Sequence, residues 1–520
     1  MRTVWILGDQ LHPEMSALQD ATPADTRILM IESRRDLRSR PLHARKLVLL
    51  LSAMRHFAAD LRERGFSVDY HMDAPDSLTA LRAHCETYQP SELLVMQPAD
   101  WDAAQFVSSL HETLGLPVTV APDTLFLTPL EWFRAWAEER DRPSMEEFYR
   151  EQRRRLRLLV TEEGHPVGGR WSFESDNRRD AKAAAKESYP PLPAFAPDEI
   201  TRDVMALVER EFPAAFGEIG AFALPVTRAE ARAALDDFIA HRLAGFGAFA
   251  DAMLAGQRTL YHSLLSPALN LGLLSAGETL ERVIGAWERS PRICPVNSLE
   301  AFVRQLAGWR EFVRGMYWLK MPEYRTANVF AARRPLPQSW WTGETRMRCV
   351  AECVRQVRET GYAHHNQRLM VLGNFALLAD VDPWQVNEWF RLAFIDAHEW
   401  VTLPNVLGVS QFADGGALAA TPSISQAQHI NRMSDYCSGC AYDPLDRTGP
   451  RACPFNYLYW DFLERNEAML ARDPRARMLY ANLRQKRPEA RAAMRQRAAE
   501  FFAGDEMTPN AFLSRAEVEE

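Results

Sequence analysis

Cysteine is scarce in this sequence, with seven in 520 residues. So sparse and odd a set does not make a disulfide framework and fits metal ligands better. Long apolar runs are also missing. The longest, "LVLLLSAM" at 47–54, sits between Arg45-Lys46 and Arg55 and is far shorter than the ~20 residues that span a bilayer. The opening "MRTVWILGDQLHPE" has only a short apolar stretch before an acidic residue, unlike a secretory signal. These features predict a cytoplasmic protein with no membrane partner. No G-x-G-x-x-G follows the first predicted strand and no Walker A motif occurs, which argues against dinucleotide and NTP sites of those types. The net charge of −8 excludes a generic nucleic-acid coat. It leaves room for a local basic groove, because affinity depends on where the charge sits.

The residues that are present describe two kinds of domain. Hydrophobic residues at 47% and charged residues at 25% are ordinary globular values, and the length predicts two or three domains. Over residues 1–125, "TVWILG", "RILMIE", "SVDYHM", "ELLVMQ" and "PVTVAP" read as five buried strands alternating with amphipathic stretches. That alternation predicts a doubly wound, Rossmann-like parallel sheet, with "GDQLHP" after strand one at the place where such sheets bind ligands. From 126 to 225 the pattern loosens into an interdomain linker, and "SYPPLPAFAPDE" (188–199) reads as an extended connector. From 226 to 520 the periodicity is helical. Nine of the fourteen tryptophans lie at or beyond Trp287.

Three of the seven cysteines fall in "DYCSGCAYDPLDRTGPRACPFNY" (435–457). C-x₂-C puts Cys437 and Cys440 within reach of one metal centre, and Cys453 can close around it. A fourth ligand must come from Cys349, Cys353, Cys294 or Cys85. Four thiolates suit structural zinc or an iron–sulfur cluster. Zinc ribbons usually carry two such knuckles and this chain has one, while a Cys-Pro ending favours iron–sulfur. The spacing leaves both open, as well as no metal at all.

Other segments allow paired readings. Ser263 and Ser266 in "LYHSLLSPALNLG" (260–272) offer a phosphate site, or Ser266-Pro267 is an ordinary helix cap. "RQLAGWREFVRGMYW" (304–318) fits core packing as well as ligand binding. In "GYAHHNQRLM" (361–370) adjacent histidines on a helix would point about 100° apart, so both rarely serve packing, and beside Asn366 and Arg368 acid–base work stands level with a core role. Trp384, Trp389 and Trp400 surround Asp396 in the manner of a core stripe. Arginine clusters at 149–157, 168–182, 330–337 and 483–497 are solvated faces or a phosphate-binding groove.

In combination, "GDQL", "LSAMRHFA" (51–58), "GGRWSFESDNR" (168–178), "YHSLLSPALNLGLL" (261–274), "YAHHNQRLMVLGNFALL" (362–378), "LPNVLGVSQFADGG" (403–416) and "MSDYCSGCAYD" (433–443) resemble the photolyase/cryptochrome family. More narrowly they resemble its bacterial iron–sulfur branch, which includes the prokaryotic (6-4) photolyases. The resemblance covers nearly the whole chain. It implies FAD in the helical domain, with His262, Ser263, Leu264, Leu265 and Ser266 at the pyrophosphate side and Asn270, Arg310, Arg368, Asp396, Thr402 and Asn405 around the rest. It selects Cys349, Cys437, Cys440 and Cys453 for a [4Fe–4S] cluster, and Trp341 and Trp389 as electron relays. His365 would be the proton donor for repair, with His364 as its partner. The arginine clusters would grip UV-damaged DNA, with the protein acting as a monomer. A 6,7-dimethyl-8-ribityllumazine antenna would touch Asp9, Gln10, Leu11 and Glu32, although polar loop ends of a sheet explain those residues equally.

The sequence departs from the branch pattern close to the chromophores. Thr402 stands where glutamate commonly faces the flavin, and His398 replaces a tyrosine. Phe390 replaces an oxidisable tyrosine, Asn366 an aliphatic residue, and Ser39 the tyrosine expected near the antenna. The expectation is therefore light-driven repair of (6-4) photoproducts. The alternatives are a cryptochrome-type blue-light receptor with a signalling partner, or a non-photochemical iron–sulfur scaffold on nucleic acid.

Overall fold

Alternation along the first strands sends successive side chains into two different cores. Trp5, Leu29, Leu93 and Val95 pack with Leu81, Val107 and Leu110 on one face of a sheet. Val4, Ile6, Ile28, Met30 and Met96 face the opposite way, into a core continuous with the helices of the C-terminal half. The sheet has five strands, all parallel: β1 (Arg2–Ile6), β2 (Thr26–Ser33), β3 (Ser67–Ala74), β4 (Leu93–Met96) and β5 (Val118–Ala121). This computed structural model describes residues 1–472 and 474–513, without the side chains of residues 34 and 36.

The strand order is β3-β2-β1-β4-β5. After β1 the chain winds outward to one side, and after β3 it crosses to the other, so the topological switch point lies between β1 and β4. In such sheets the crevice beyond the carboxyl ends of those two strands is the ligand position. The five strands and the doubly wound plan expected from the sequence are both present.

The helical half covers that crevice. Its docking is polar as well as apolar. Lys46, on the helix Ala44–Glu63, donates to the carbonyls of Arg391 (2.9 Å) and Ala397 (2.6 Å). Arg325 forms bidentate contacts with both Asp102 and Glu399, and Arg314 pairs with Asp123 at 2.9 Å. The stretch 126–225, expected as a linker, carries the helices Leu130–Glu138, Met145–Arg155 and Glu199–Glu211. All three are amphipathic, and Ser144 and Asp198 cap the second and third through their side chains. Residues 188–198 have no regular structure. Among the described residues no helix is long and apolar enough to cross a membrane.

Three seven-residue segments of the helical half are π-helical: Arg304–Arg310, Gln367–Gly373 and Pro404–Ser410. Such segments are rare and gather at functional sites.

Candidate functional site

At the switch point, Asp9 and Gln10 after β1, Gln97 and Ala99 after β4, and Phe126 after β5 line a cavity. Asn270, Arg310 and Trp400 close it from the helical side. Two of the residues expected at the antenna (Asp9, Gln10) and two expected at the flavin (Asn270, Arg310) therefore share one cavity. Gln10 donates to the carbonyls of Met96 (3.0 Å) and Gln97 (3.2 Å), which leaves its Oε1 buried and unpartnered. Arg310 donates to the Leu269 carbonyl at 3.2 Å and lies over the rings of Phe126 and Trp400, while its Nε and Nη1 have no partner. Burial pulls that guanidinium down to about 10, and burial also pushes Asp9 up to about 6. Unspent donors and acceptors in one buried space are the signature of a missing polar partner.

Leu11 and Glu32 do not line this cavity. Leu11 is fully buried, and its N–H donates to the Leu271 carbonyl at 2.9 Å. The Glu32 carboxylate is held by Arg55 (2.8 and 2.9 Å) and accepts from the Tyr70 hydroxyl at 2.8 Å.

A second polar shell centres on Asp396. Arg368 grips its carboxylate with two bonds of 3.1 and 2.9 Å, and Ser266 Oγ donates to it at 2.7 Å. Asn270 Nδ2 donates to its backbone carbonyl at 2.8 Å. Burial works to raise the Asp396 carboxyl, but Arg368 and Ser266 outweigh it and the net direction is down. Ser266 opens the short helix Ser266–Asn270 with Pro267 behind it, and the capping position is Leu265. The cap reading of Ser266 is thus replaced by a bond across to Asp396. Leu264 holds a left-handed φ of 54°, uncommon for a leucine and of a kind that gathers at binding sites. Ser263 Oγ accepts from the Leu265 N–H at 3.4 Å. Thr402 and Asn405 bond back to the carbonyls of His398 and Val401. Asn405 is exposed between buried Pro404 and Val406, so it faces open space within a buried segment.

The imidazoles of His262 and His364 stack at 4.7 Å with 14° between planes, and His365 stands edge-on to His262 at 5.6 Å. The helix starts at His365, with His364 still in irregular backbone, so the two do not share a helix as the sequence had suggested. Burial holds His262 down at about 3 and His364 well below its ordinary value, so both are neutral. His364 Nδ1 is buried without a partner. His365 is half exposed, and its Nε2 lies 2.9 Å from Asp251 Oδ1. Nitrogens of the three rings lie within 4.8 Å of one another. A metal would need their in-plane lone pairs to converge on one point. Stacking of the first two rings runs those lone pairs side by side instead, so the three rings are not laid out as a ligand set.

Farther along the chain, Cys349, Cys437, Cys440 and Cys453 line one small cavity with Tyr436 and Tyr442. None of the seven cysteines is in a disulfide. Burial, and then the neighbouring thiols, push Cys349 well above its ordinary value, while burial raises Cys437 to about 11 and Cys453 to about 12. A cationic centre is what such a set needs before it can ionise. Cys353, one turn further along the same helix, is fully buried but outside the cavity.

Comparison with known proteins decides the family. The chain is 42% identical to a (6-4) photolyase of Agrobacterium fabrum over 504 residues, which is 96% of this chain and 98% of the relative. The chain belongs to the photolyase family. Residues 4–224 also match a family model described as deoxyribodipyrimidine photo-lyase-related protein. The fold is similar to that of a bacterial class III photolyase from Agrobacterium tumefaciens (TM-score 0.56, 17% identity, 98% of each chain). It is also similar to that of the cryptochrome of Synechocystis sp. PCC6803 (TM-score 0.54, 16% identity, 80% of this chain and 82% of that one).

In this photolyase-family chain, Trp389 meets Trp340 at 4.7 Å and donates its indole N–H to the Trp340 carbonyl at 3.0 Å. Trp341 reaches the same group through Phe216, 5.3 Å from it and 6.5 Å from Trp389. On the other side Trp389 contacts Phe394, which lies under the Arg368 guanidinium. Trp340 was missed in the sequence because one of two adjacent indoles carries no further mark. Asp251 was missed because it sits 114 residues from its partner in an unremarkable segment.

The arginine clusters are largely committed elsewhere than in a DNA groove. Arg153 is fully buried and donates to the carbonyls of Leu158, Leu159 and Trp171. Arg491 and Arg495 pair with Glu464, and Arg334 lies over Phe502. Arg178 is exposed and pairs with Glu174 at 3.2 Å, and its charge also helps to lower Asp251 beside His365.

Proposed function

We propose that this protein is a light-driven DNA repair enzyme that acts on (6-4) pyrimidine photoproducts. The carrying observation is the half-exposed His365, set against Asp251 on the open side of two buried neutral imidazoles. Reversing a (6-4) product requires moving a group back from one pyrimidine to the other, with a proton delivered beside it. A solvent-facing imidazole backed by a carboxylate is suited to that task. A damaged pair is poorly stacked, so its extrusion from the duplex to reach this pocket costs little.

FAD fits the polar shell: Ser263, Asn270, Arg368, Asp396 and Asn405 would hold it, and the Arg368–Asp396 pair would offer it a fixed, polar edge. What FAD supplies when bound is an electron, lent to the lesion on excitation by light and then recovered. The protein's own part is to orient the pair, exclude water from the buried side and hold a proton on His365. Cys349, Cys437, Cys440 and Cys453 would bind a [4Fe–4S] cluster, whose contribution is to join the last helices to the segment before the double histidine. The switch-point cavity would take the antenna, with the unspent groups of Gln10 and Arg310 as its polar contacts. DNA phosphates would be gripped near Arg178 without sequence reading.

A blue-light receptor is the second reading, favoured by Thr402 and Phe390. The Thr402 hydroxyl donates to the His398 carbonyl and cannot exchange a proton as a carboxylate would. The two readings separate on duplexes carrying a single (6-4) product or a single cyclobutane dimer, illuminated with reduced protein. Restoration of the (6-4) duplex alone supports the first reading, and restoration of neither supports the second.

A further inference from the structure

A continuous buried path joins the cysteine cavity to the double histidine. Tyr436 lines the cavity and immediately precedes Cys437. Gln367 Nε2 donates to its hydroxyl at 3.0 Å and to Gln356 Oε1 at 3.1 Å. Gln367 Oε1 accepts from the His364 backbone N–H at 3.0 Å and from Gln356 Nε2 at 3.4 Å. Both donors and both acceptor positions of the Gln367 amide are thereby used. Gln356 is carried by the helix Arg348–Thr360, which has Cys349 in its first turn, and its Nε2 also donates to the Tyr362 carbonyl at 3.2 Å. Gln367 and Tyr436 are each 1% exposed.

The position of the His364 N–H in this network matters. That residue lies in irregular backbone just before the helix, so no helical hydrogen bond fixes it. A saturated side-chain amide fixes it instead, and the same amide is anchored to the residue preceding a metal-ligand candidate. Gln367 is also the first residue of a π-helical segment, of the kind that gathers at functional sites.

We propose that Gln367 is a positioning residue: it registers the His364–His365 pair against the cysteine cavity through Tyr436, so that ordering the cavity orders the imidazoles. This rests on the repair reading above for its consequence, but not for its geometry. Neither Gln367 nor Tyr436 would touch the lesion.

The test uses the full-length protein, with its cofactors, as Gln367→Leu and Tyr436→Phe variants. Tyr436→Phe keeps the bond to His364 and cuts only the link to the cavity. Misplacement of reacting groups by remote changes costs up to about a hundredfold in rate. We expect Gln367→Leu to lower light-driven repair about tenfold or more, with a smaller loss in Tyr436→Phe. Flavin and iron content should stay unchanged in both, and the pH profile of repair should shift. In darkness, with ¹⁵N-labelled histidine, the imidazole signals of the 364–365 pair should move while that of His84, held by Thr3 and Asp69 in the N-terminal sheet domain, stays in place. Unchanged signals in both variants would overturn the proposal. So would a loss of repair only in proportion to lost flavin or iron. If the parent protein repairs nothing, the repair reading fails, and the dark signals still decide the role of Gln367. Should Gln367→Leu not fold, the imidazole signals of Tyr436→Phe decide alone: a shift supports the proposal and no shift overturns it.

Discussion

His365 Nε2 and Asp251 Oδ1 stand 2.9 Å apart, one on a half-exposed ring and the other on a carboxylate turned inward. Burial acts to raise the Asp251 carboxyl, yet the hydrogen bond and charge of His365 prevail and the net direction is down. Asp251 is therefore ionised at every pH above its ordinary 3.8, and its support for a proton on the neighbouring imidazole is lost only in stronger acid. Replacing it with Asn should lower repair at neutral pH about threefold with flavin and iron still bound, because the carboxylate no longer holds the His365 ring. Unchanged repair would remove Asp251 from the proton site. His365→Ala should lower repair by about a hundredfold or more while flavin and iron remain bound.

Glu278 supplies a pH-dependent clamp between the two halves. Burial alone would raise its carboxyl, but hydrogen bonds from His12 and Arg228 hold it far below its ordinary 4.5. His12 follows β1 and Arg228 opens the helix Arg228–His241, so the trio spans the interface. A depressed carboxyl stabilises the fold above its ordinary value, and that stabilisation is lost as pH falls below it. Glu278→Gln should cost about 2 kcal/mol at neutral pH. The gap from the parent protein, read by denaturant titration, should narrow steadily below pH 4.5. A gap independent of pH would contradict this account.

The four cavity thiols and the one outside it should separate cleanly. Cys349→Ser should lose iron and acid-labile sulfide together. Cys353→Ser should keep both, because its thiol does not line the cavity. Iron retained in the first variant, or lost in the second, would reassign the ligands.

Trp340 should matter to flavin photoreduction as much as Trp341. It is the indole in direct contact with Trp389 at 4.7 Å, whereas Trp341 joins through Phe216. Trp340→Phe should slow the light-driven rise of reduced flavin, followed by absorbance with an external donor, and leave flavin content unchanged. An unaltered rate would route the electron elsewhere.

How far the sequence foretold this structure depended on what each residue needs to mark it. The inner strands β1, β2 and β4, largely buried, read as apolar runs bounded by turns. The part-exposed edge strands β3 and β5 were visible by their β-branched and aromatic residues between turn signals. The π-helical segments were invisible, because shifting a hydrogen bond by one residue leaves no compositional trace. Cys437, Cys440 and Cys453 announced themselves by spacing, whereas Cys349 was singled out by the family resemblance alone, and the structure brings all four to one cavity. The partners of Glu32 and of the arginines of 149–157 could not be foreseen for one reason: a charged residue in sequence does not reveal its partner. Arg55 and Tyr70 take the first, and backbone carbonyls take Arg153 and Arg155.

The most direct measurement is illumination of the reduced, flavin-bearing protein with a duplex containing one (6-4) photoproduct, followed by separation of products. The account predicts intact pyrimidines formed only in blue light, at a rate that collapses in His365→Ala. An unrepaired duplex after prolonged illumination, or equal repair by the variant, would contradict it.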